Sequence, residues 1–269
     1  MRETWAYYLR GLAMDIGIKK SHTNYQKFIL LGRSRTGSNY LRGLLNSHSQ
    51  VIVFGELLKN DQNIEWGMDG YPSQGRALQI MRTQPVQFME KFVFGKHPPH
   101  IQAVGFKLFY YHAQQNLLQP VWEYLHRTIE IRVLHIKRRN ILRTHLSRQR
   151  AELTDRWANV NGSMEKEEPI TLSYEKCLQD FVQTRKWEEE FDAYFADHPK
   201  RDVVYEDLIA DPNRELAEIQ DFLGLRFEPL QPGTYKQSVR PLSQAIANFS
   251  ELKEQFANTP WASFFQENE

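Results

Sequence analysis

The sequence has very little cysteine and almost no net charge. One cysteine, Cys177, is present among 269 residues, so the chain can form neither an internal disulfide nor a cysteine-based zinc site. This excludes small secreted disulfide scaffolds and zinc fingers. The 34 lysines and arginines are balanced by 33 aspartates and glutamates, which leaves a formal charge of +1. Such a chain has no general attraction to nucleic acid or anionic lipid, and any anion site in it must be local.

Long apolar runs are also missing. There is no stretch of about 18 consecutive apolar residues, so no membrane-spanning helix is predicted, and the N-terminus lacks the apolar core of a signal peptide. Together with the single cysteine, these absences predict a cytoplasmic protein. With 41% hydrophobic residues, the chain is long enough for one large domain with a sizeable core. We expect a single domain over residues 1–269, with an N-terminal segment 1–24 and a C-terminal arm 227–269.

Short apolar runs alternate with longer helical patterns, which is typical of βα units that feed a parallel sheet. Strands are predicted at Lys27–Gly32, Gln50–Phe54, Ala103–Phe109, Ile131–Lys137 and Asp202–Tyr205. Helices are predicted at Gly37–Ser47, Pro85–Val93, Asn140–Trp157, Ser173–Phe195 and Pro212–Leu223. The expected fold class is α/β, with three α/β/α layers around a central, mainly parallel sheet. The segments Lys59–Gly75 and Asn159–Pro169 and the tail from Phe227 onward have no clear periodicity.

The first predicted strand runs into a loop of small, polar and basic residues, Gly32–Asn39 (GRSRTGSN). Free backbone N–H groups and a helix N-terminus then face the strand end, an arrangement that favours an anion. The two glycines have P-loop spacing, but Ser38-Asn39 stands where nucleoside triphosphatases carry a lysine and a hydroxyl residue for Mg²⁺. The loop predicts a P-loop-like fold and a nucleotide phosphate bound without magnesium, with Arg33 and Arg35 as cations. A surface turn with solvated arginines is the alternative.

The fourth predicted strand ends in a run without any acidic residue, Lys137–Arg150. Because carboxyl ends of parallel strands share one sheet edge, this strongly positive run is expected beside the loop if the two strands are neighbours. Arg139 and Ser147 are spaced to converge on one phosphate, with arginine as a planar fork and serine as a neutral donor. Three other arginines of the run are expected on other, solvated helix faces: Arg143, Arg148 and Arg150.

These two sites together resemble the sulfotransferase family that uses 3′-phosphoadenosine 5′-phosphosulfate (PAPS), especially its carbohydrate-type and bacterial branches. The family's 5′-phosphosulfate motif, [PS]-R-[ST]-G-[ST]-[TN], is matched by Ser34–Asn39. Its 3′-phosphate motif, Arg-(x7)-Ser, is matched by Arg139 and Ser147. A later Tyr-Glu-Asp-Leu segment is matched by Tyr205–Leu208, and the resemblance spans about residues 27–256.

The resemblance implies a function and a set of nucleotide-binding residues. It implies transfer of the sulfuryl group of PAPS to a hydroxyl of a carbohydrate, glycolipid or related metabolite, without a metal, leaving 3′-phosphoadenosine 5′-phosphate (PAP). The tail from Tyr235 to Leu242 is similar to the segment that closes the nucleotide site in several members. The residues implied to hold the nucleotide are Arg33, Ser34, Arg35, Thr36, Gly37, Ser38, Asn39, Arg139, Ser147, Lys236 and Gln237.

Sulfuryl transfer needs a base for the attacking hydroxyl and a fixed cation at the leaving phosphate. Arg35 is the predicted cation. The resemblance favours Glu56 as the base, because the bacterial branch has Gly-Glu just past the second strand, although a carboxylate here would also suit a helix cap or an ion pair. A histidine, His112 or His145, is the alternative base. Lys107 and His112 are also predicted to contact the sulfate or the acceptor, and a solvated strand residue is the alternative interpretation of Lys107.

Other possibilities stay open at this stage. Trp66 and the aromatic run Phe109–His112 suit either a sugar-stacking surface or core packing. A metal-dependent kinase on the same loop is one alternative function, and a catalytically silent PAP-binding protein is another. The expected partner is a small-molecule or glycan acceptor and not nucleic acid, and the sequence makes no prediction of oligomeric state.

Overall fold

The computed structural model describes residues 2–114, 117–154, 168–232 and 240–266. These residues form a five-stranded sheet in which every neighbouring pair is parallel, with the strand order β2-β3-β1-β4-β5. The strands are β1 (Gln26–Gly32), β2 (Val51–Phe54), β3 (Ala103–Phe109), β4 (Arg132–Lys137) and β5 (Lys200–Val204). The predicted α/β fold on a parallel sheet is confirmed.

Helices connect and flank these strands. They are α1 (Arg2–Asp15), α2 (Ser38–Asn46), α3 (Arg76–Thr83), α4 (Pro85–Phe88), α5 (Pro120–Arg127), α6 (Ile141–Thr154), α7 (Tyr174–Tyr194), α8 (Tyr205–Ala210), α9 (Pro212–Phe222), α10 (Leu242–Ala245) and α11 (Phe249–Gln255). A π-helical turn, Met89–Val93, continues α4, and a 3₁₀ turn, Ala262–Phe265, follows α11. No helix among the described residues is both long enough and apolar enough to cross a bilayer.

The predicted elements are found with small shifts at their ends, and six helices of the described structure had no predicted position. The last strand is the main correction, because β5 ends at Val204 and Tyr205 opens α8 instead. The predicted helix end at Trp157 lies outside the described residues. The helices without a predicted position are α1, α3, α5, α8, α10 and α11, and all except α1 are eight residues or shorter.

Both faces of the sheet are covered, which explains why its strands are almost continuously apolar. On β1, Ile29 and Leu31 belong to the core beneath α3, α5 and α7, whereas Phe28 and Leu30 face the core shared with α2 and α9. All four side chains are fully buried. Removing one such side chain from water contributes about 1.5–3 kcal/mol to folding.

The described part of the C-terminal arm forms a third core with α6 and α7. Leu142 on α6 and Phe181 on α7 pack with Phe256 and Phe264 of the arm. A parallel bridge between Ile170 and Ile246 ties the arm to the segment before α7. The many apolar residues of this tail are therefore buried against the helix that carries Ser147.

Candidate functional site

The loop between β1 and α2 has an unusual backbone that α8 fixes in place. Arg35 has a φ of 69° and Gly37 a φ of 94°, both in the left-handed region that side chains disfavour. A Cβ atom on Gly37 would lie 2.2 Å from a carbon of the Tyr205 ring. The Arg138 guanidinium covers the same ring at 4.2 Å from its centroid. A glycine is required here by both the dihedral angle and the packing, and strained backbone of this kind is concentrated at functional sites.

Three predicted site residues meet on one side of this loop. The strand order places β3 between β2 and β1, so Lys107 on β3 lies between Glu56, just past β2, and Asn39 on α2. The Lys107 ammonium donates hydrogen bonds to Glu56 Oε1 at 2.9 Å and to Asn39 Oδ1 at 2.5 Å. Lys107 is buried, with 3% of its side chain exposed. The solvated-lysine interpretation of Lys107 is therefore wrong.

The charges of this pair are set by burial and by each other. Burial raises the pKa of the Glu56 carboxyl, but the Lys107 ammonium and its hydrogen bond outweigh burial, and the net pKa lies below its ordinary value. Burial lowers the pKa of Lys107 in turn, and Glu56 opposes that shift. The arrangement keeps a carboxylate available for a proton at neutral pH.

His112 completes this group with a defined protonation state. Its Nδ1 accepts a hydrogen bond from the backbone N–H of Phe109 at 3.2 Å, so the ring proton must reside on Nε2. That Nε2 is buried without a hydrogen-bond partner and lies 3.6 Å from Glu56 Oε2. Burial lowers the pKa of His112 to about 4. The imidazole is thus a neutral N–H donor that faces the carboxylate.

The two phosphate motifs meet on the other side of the loop. Arg35 Nε donates to Ser147 Oγ at 2.9 Å, which joins the first motif directly to the second. The neighbouring Arg33 contacts Asp180 and Thr184 on α7, and its guanidinium lies 5.1 Å from the Trp187 ring centroid. Arg33 thus fastens the loop to α7, while Arg35 points to the phosphate motif.

Carboxylates from distant helices neutralise the basic run, which sequence reasoning missed. Arg139 makes a two-pronged ion pair with Asp207 of α8, at 2.8 and 2.6 Å, and does not contact Ser147. Arg148, expected on a solvated face, is buried and pairs with Asp180. The run has no acidic residue of its own, but α7 and α8 bring acidic residues onto it. Their positions could not be inferred from local sequence.

The remaining predicted residues occupy varied places. His145 is bound through Nδ1 to Asp180 at 3.0 Å, the same carboxylate that pairs with Arg33 and Arg148. Trp66 is buried and donates its indole N–H to the Pro72 carbonyl, so it packs in the core and offers no face to a sugar. Lys236 and Gln237 lie outside the described residues.

Comparison with known proteins assigns this arrangement to a family. The model of the Sulfotransferase family matches residues 28–229. This chain belongs to that family. The sulfotransferase is 30% identical over 248 residues to Nodulation protein H of Rhizobium meliloti (strain 1021), covering 90% of this chain and 95% of that protein. It is 27% identical over 249 residues to Nodulation protein H of Rhizobium tropici, covering 90% and 93%.

A solved structure is also similar to the sulfotransferase. A sulfotransferase from Alicyclobacillus acidocaldarius aligns with a TM-score of 0.49 and 13% identity, covering 89% of this chain and 93% of that one. The family membership rests on the sequence match over most of the chain. The chain is accordingly a sulfotransferase enzyme, with the α/β fold on a parallel sheet described above.

The sulfotransferase has a second cluster of titratable side chains, on β4, β5 and α7. One ligand atom each from His135, Asp192 and Asp202 lies within 4.8 Å of the others, a spacing that would suit a metal ion. The ammonium of Lys137 already binds both carboxylates, at 2.6 and 2.8 Å, and Lys200 binds Asp192 at 2.7 Å. A cation would have to displace both lysines, so we assign the cluster a structural role.

Proposed function

We propose that this sulfotransferase moves the sulfuryl group of PAPS to a hydroxyl of a carbohydrate, glycolipid or related metabolite. The observation that carries the proposal is the meeting of two groups at one loop. Arg35 and Ser147, one from each phosphate motif, meet on one side, and Glu56, Lys107 and Asn39 form a proton-accepting group on the other. A donor that lay along this loop would have its reactive end between the two groups.

Donor binding is assigned to the loop and to the second motif. The backbone from Ser34 to Asn39 and the start of α2 would hold the 5′-phosphosulfate, with Arg35 as its cation. The 3′-phosphate is assigned to Arg139 and Ser147. Arg139 must leave Asp207 to reach it, because its guanidinium fork is occupied by that carboxylate. On nucleotide binding, the 3′-phosphate would therefore replace the Asp207 carboxylate as the anion bound to Arg139.

The chemistry is a direct displacement at sulfur. The acceptor hydroxyl oxygen attacks the sulfur atom, its proton passes to the Glu56 carboxylate, and the bond between sulfur and the bridging phosphate oxygen breaks. The electron pair of that bond goes to the phosphate of PAP, where Arg35 stabilises the added charge. Lys107 keeps Glu56 ionised before the reaction, and its ammonium adds positive charge near the transferred group.

The histidine alternative for the base receives less support than Glu56. His112 Nδ1 is occupied by a backbone donor, and its Nε2 carries the proton, so neither nitrogen is free to accept a proton from the acceptor. His145 is held by Asp180 on the nucleotide side. His112 is instead assigned to donate toward the acceptor or the carboxylate.

Three further assignments belong to this proposal. The chain is taken as one sulfotransferase domain with residues 1–24 as an N-terminal segment, because the described part of the 227–269 arm shares a core with α6 and α7. The arm is proposed to cover the nucleotide site. A cytoplasmic location is proposed from the single buried cysteine. Similarity to Nodulation protein H supports placing this chain in the bacterial branch of the family. It does not identify the acceptor.

Thermal-shift measurements with PAP, ADP and AMP, each with and without Mg²⁺, test the donor class. A ligand that binds only the folded chain raises the melting temperature in proportion to its affinity. We expect PAP to stabilise the protein most, with no requirement for Mg²⁺. Stabilisation by ADP that depends on Mg²⁺ would favour the kinase alternative. Stabilisation by PAP with no sulfate transfer from PAPS to any of a panel of glycans would favour the silent PAP-binding protein.

Glu56→Gln tests the base. Glutamine keeps the size and a hydrogen-bond acceptor for Lys107 but cannot take the proton, so turnover should fall by about 10²–10⁴-fold while PAP still raises the melting temperature. Glu65→Gln is the matched control, because Glu65 is a half-exposed carboxylate that also pairs with a lysine, Lys59. Full turnover in the Glu56 variant would exclude Glu56 as the base.

A further inference from the structure

The first helix presents an apolar stripe that nothing in the described structure covers. Trp5, Leu9, Leu12 and Ile16 are each more than half exposed. Their spacing of four, three and four residues places them within an arc of roughly 60° on the helix surface. The Ile16 N–H still bonds to the Leu12 carbonyl at 3.0 Å, so Ile16 continues the helical turn. Exposed apolar side chains that are aligned in this way mark an interaction surface.

Helix α1 packs against the domain through the face opposite the stripe. Tyr7 packs against Tyr71 and Phe92 of the domain, with ring centroids 5.4 and 6.2 Å apart. Arg10 adds cation–π contacts to Tyr7 and Tyr71, at 5.7 and 5.6 Å. The helix is therefore fastened to the domain through one face, and the stripe on the other face is left facing outward.

Two exposed lysines follow the C-terminal end of the stripe. The exposed residues Lys19 and Lys20 follow α1, together with exposed Ile18, and residues 16–27 contain no aspartate or glutamate. The one carboxylate at this end of α1, Asp15, is paired with Lys96 at 3.1 Å. Lys19 and Lys20 form no ion pair with any residue that the structure describes. A stripe of tryptophan and aliphatic side chains beside two such lysines matches the chemistry of an anionic bilayer surface.

We propose that α1 docks this enzyme onto the surface of an anionic phospholipid bilayer, with the stripe in the headgroup boundary and Lys19 and Lys20 on the lipid phosphates. A second copy of the chain fits less well as the occupant. A stable dimer interface takes roughly 20–30 residues a side, and the stripe with Ile18 offers five. A short apolar stripe is sufficient for a peripheral helix, because the bilayer supplies the remaining contact and the electrostatic attraction.

Aromatic side chains connect α1 to the acceptor side of the proposed site. Tyr71 contacts Tyr7 of α1 on one side and stacks on Trp66 at 4.9 Å on the other. Trp66 lies in the segment that follows Glu56, and the Trp66 carbonyl accepts a hydrogen bond from Gly55. The face of α1 opposite the stripe is thus connected to the proposed acceptor side of the site through Tyr71 and Trp66.

Co-sedimentation of the full chain with phospholipid vesicles tests the docking. We expect binding to vesicles that contain phosphatidylglycerol and little binding to pure phosphatidylcholine vesicles. Leu9→Ser/Leu12→Ser should weaken binding by about tenfold or more, from the loss of buried apolar surface. Lys19→Gln/Lys20→Gln should weaken it by a similar factor, since each lysine near the surface contributes about a fivefold effect. High salt should weaken binding by the wild type and leave the lysine variant little changed.

The matched control is Ile129→Ser/Leu153→Ser, which removes two side chains that are also more than half exposed. They belong to other elements, since Ile129 follows α5 and Leu153 lies in α6. This control should bind vesicles like the wild type. Stabilisation by PAP should be the same in all variants, which separates this test from the test of the proposed function. Absence of binding to anionic vesicles, or equal losses in the control, would overturn the proposal. A wild-type dimer in light scattering that Leu9→Ser/Leu12→Ser converts to monomer would assign the stripe to a second copy.

Discussion

Replacing Arg139 with alanine removes the side chain assigned to the 3′-phosphate. A hydrogen-bonded contact between arginine and a charged group contributes about 1.5–3 kcal/mol. In this protein Arg139 must first break its ion pair with Asp207. The Arg139 side chain is 59% exposed and the Asp207 side chain 35% exposed. An exposed pair of this kind is worth about 0.2–1 kcal/mol. The net loss for Arg139→Ala is then about 0.5–2.8 kcal/mol, or roughly two- to hundredfold in the dissociation constant for PAP.

Isothermal titration with PAP and with AMP checks this value. AMP lacks the 3′-phosphate, so Arg139→Ala should leave AMP binding almost unchanged. Asp207→Asn should act in the opposite direction and tighten PAP binding by about fivefold or less. This substitution removes the charge that holds the Arg139 guanidinium but leaves the guanidinium itself in place. Arg127→Ala is the control, because Arg127 is likewise an exposed arginine paired with a carboxylate, Glu123. Equal losses for PAP and AMP in Arg139→Ala would refute the assignment of Arg139.

Three further outcomes are expected. Arg35→Ala should abolish transfer and leave the melting temperature of the free protein near that of the wild type; measurable turnover in a sulfate-transfer assay would remove Arg35 from the mechanism. Gly37→Ala should lower the free energy of unfolding by about 1–3 kcal/mol and prevent PAP binding, because a Cβ atom there meets the Tyr205 ring; a urea melt and a titration check both effects. The pH–rate profile should show no inflection near 6.5, because the pKa of Glu56 lies below its ordinary value and that of His112 is lowered to about 4. The Glu56 carboxylate is then kept throughout the neutral range and is lost only at a pH below the ordinary pKa of a glutamate. An inflection near 6.5 would instead indicate an ordinary histidine base.

Most of the sheet was predictable because burial on both faces leaves an unmistakable signal. The strands Lys27–Gly32 and Ala103–Phe109 were predicted to within one residue of their observed ends. Short helices were missed because eight residues carry too few turns to show a period. Helix α1 was missed for a different reason, since it has apolar residues on two faces and one of them faces outward.

The site was predictable in its loop and not in its ion pairs. The glycine and the small residues of Ser34–Asn39 follow directly from what a phosphate loop requires of its backbone. The partners of the arginines come from elsewhere in the chain, such as Asp180, which is 147 residues from Arg33. A pair of charges so far apart in sequence leaves no local pattern, so the basic run was expected to be more positive than it is.

Local sequence determined which residues form the phosphate loop, where the strands run, and that this nearly neutral chain concentrates its basic residues in two places. Only the tertiary structure decided which of those cations are free to meet a ligand. The order β2-β3-β1 placed Lys107 between Glu56 and Asn39, and the packing of α7 and α8 set Asp180 and Asp207 against the arginines. Strand order and helix docking are fixed by burial of apolar faces over the whole chain, and no short segment of sequence contains that information.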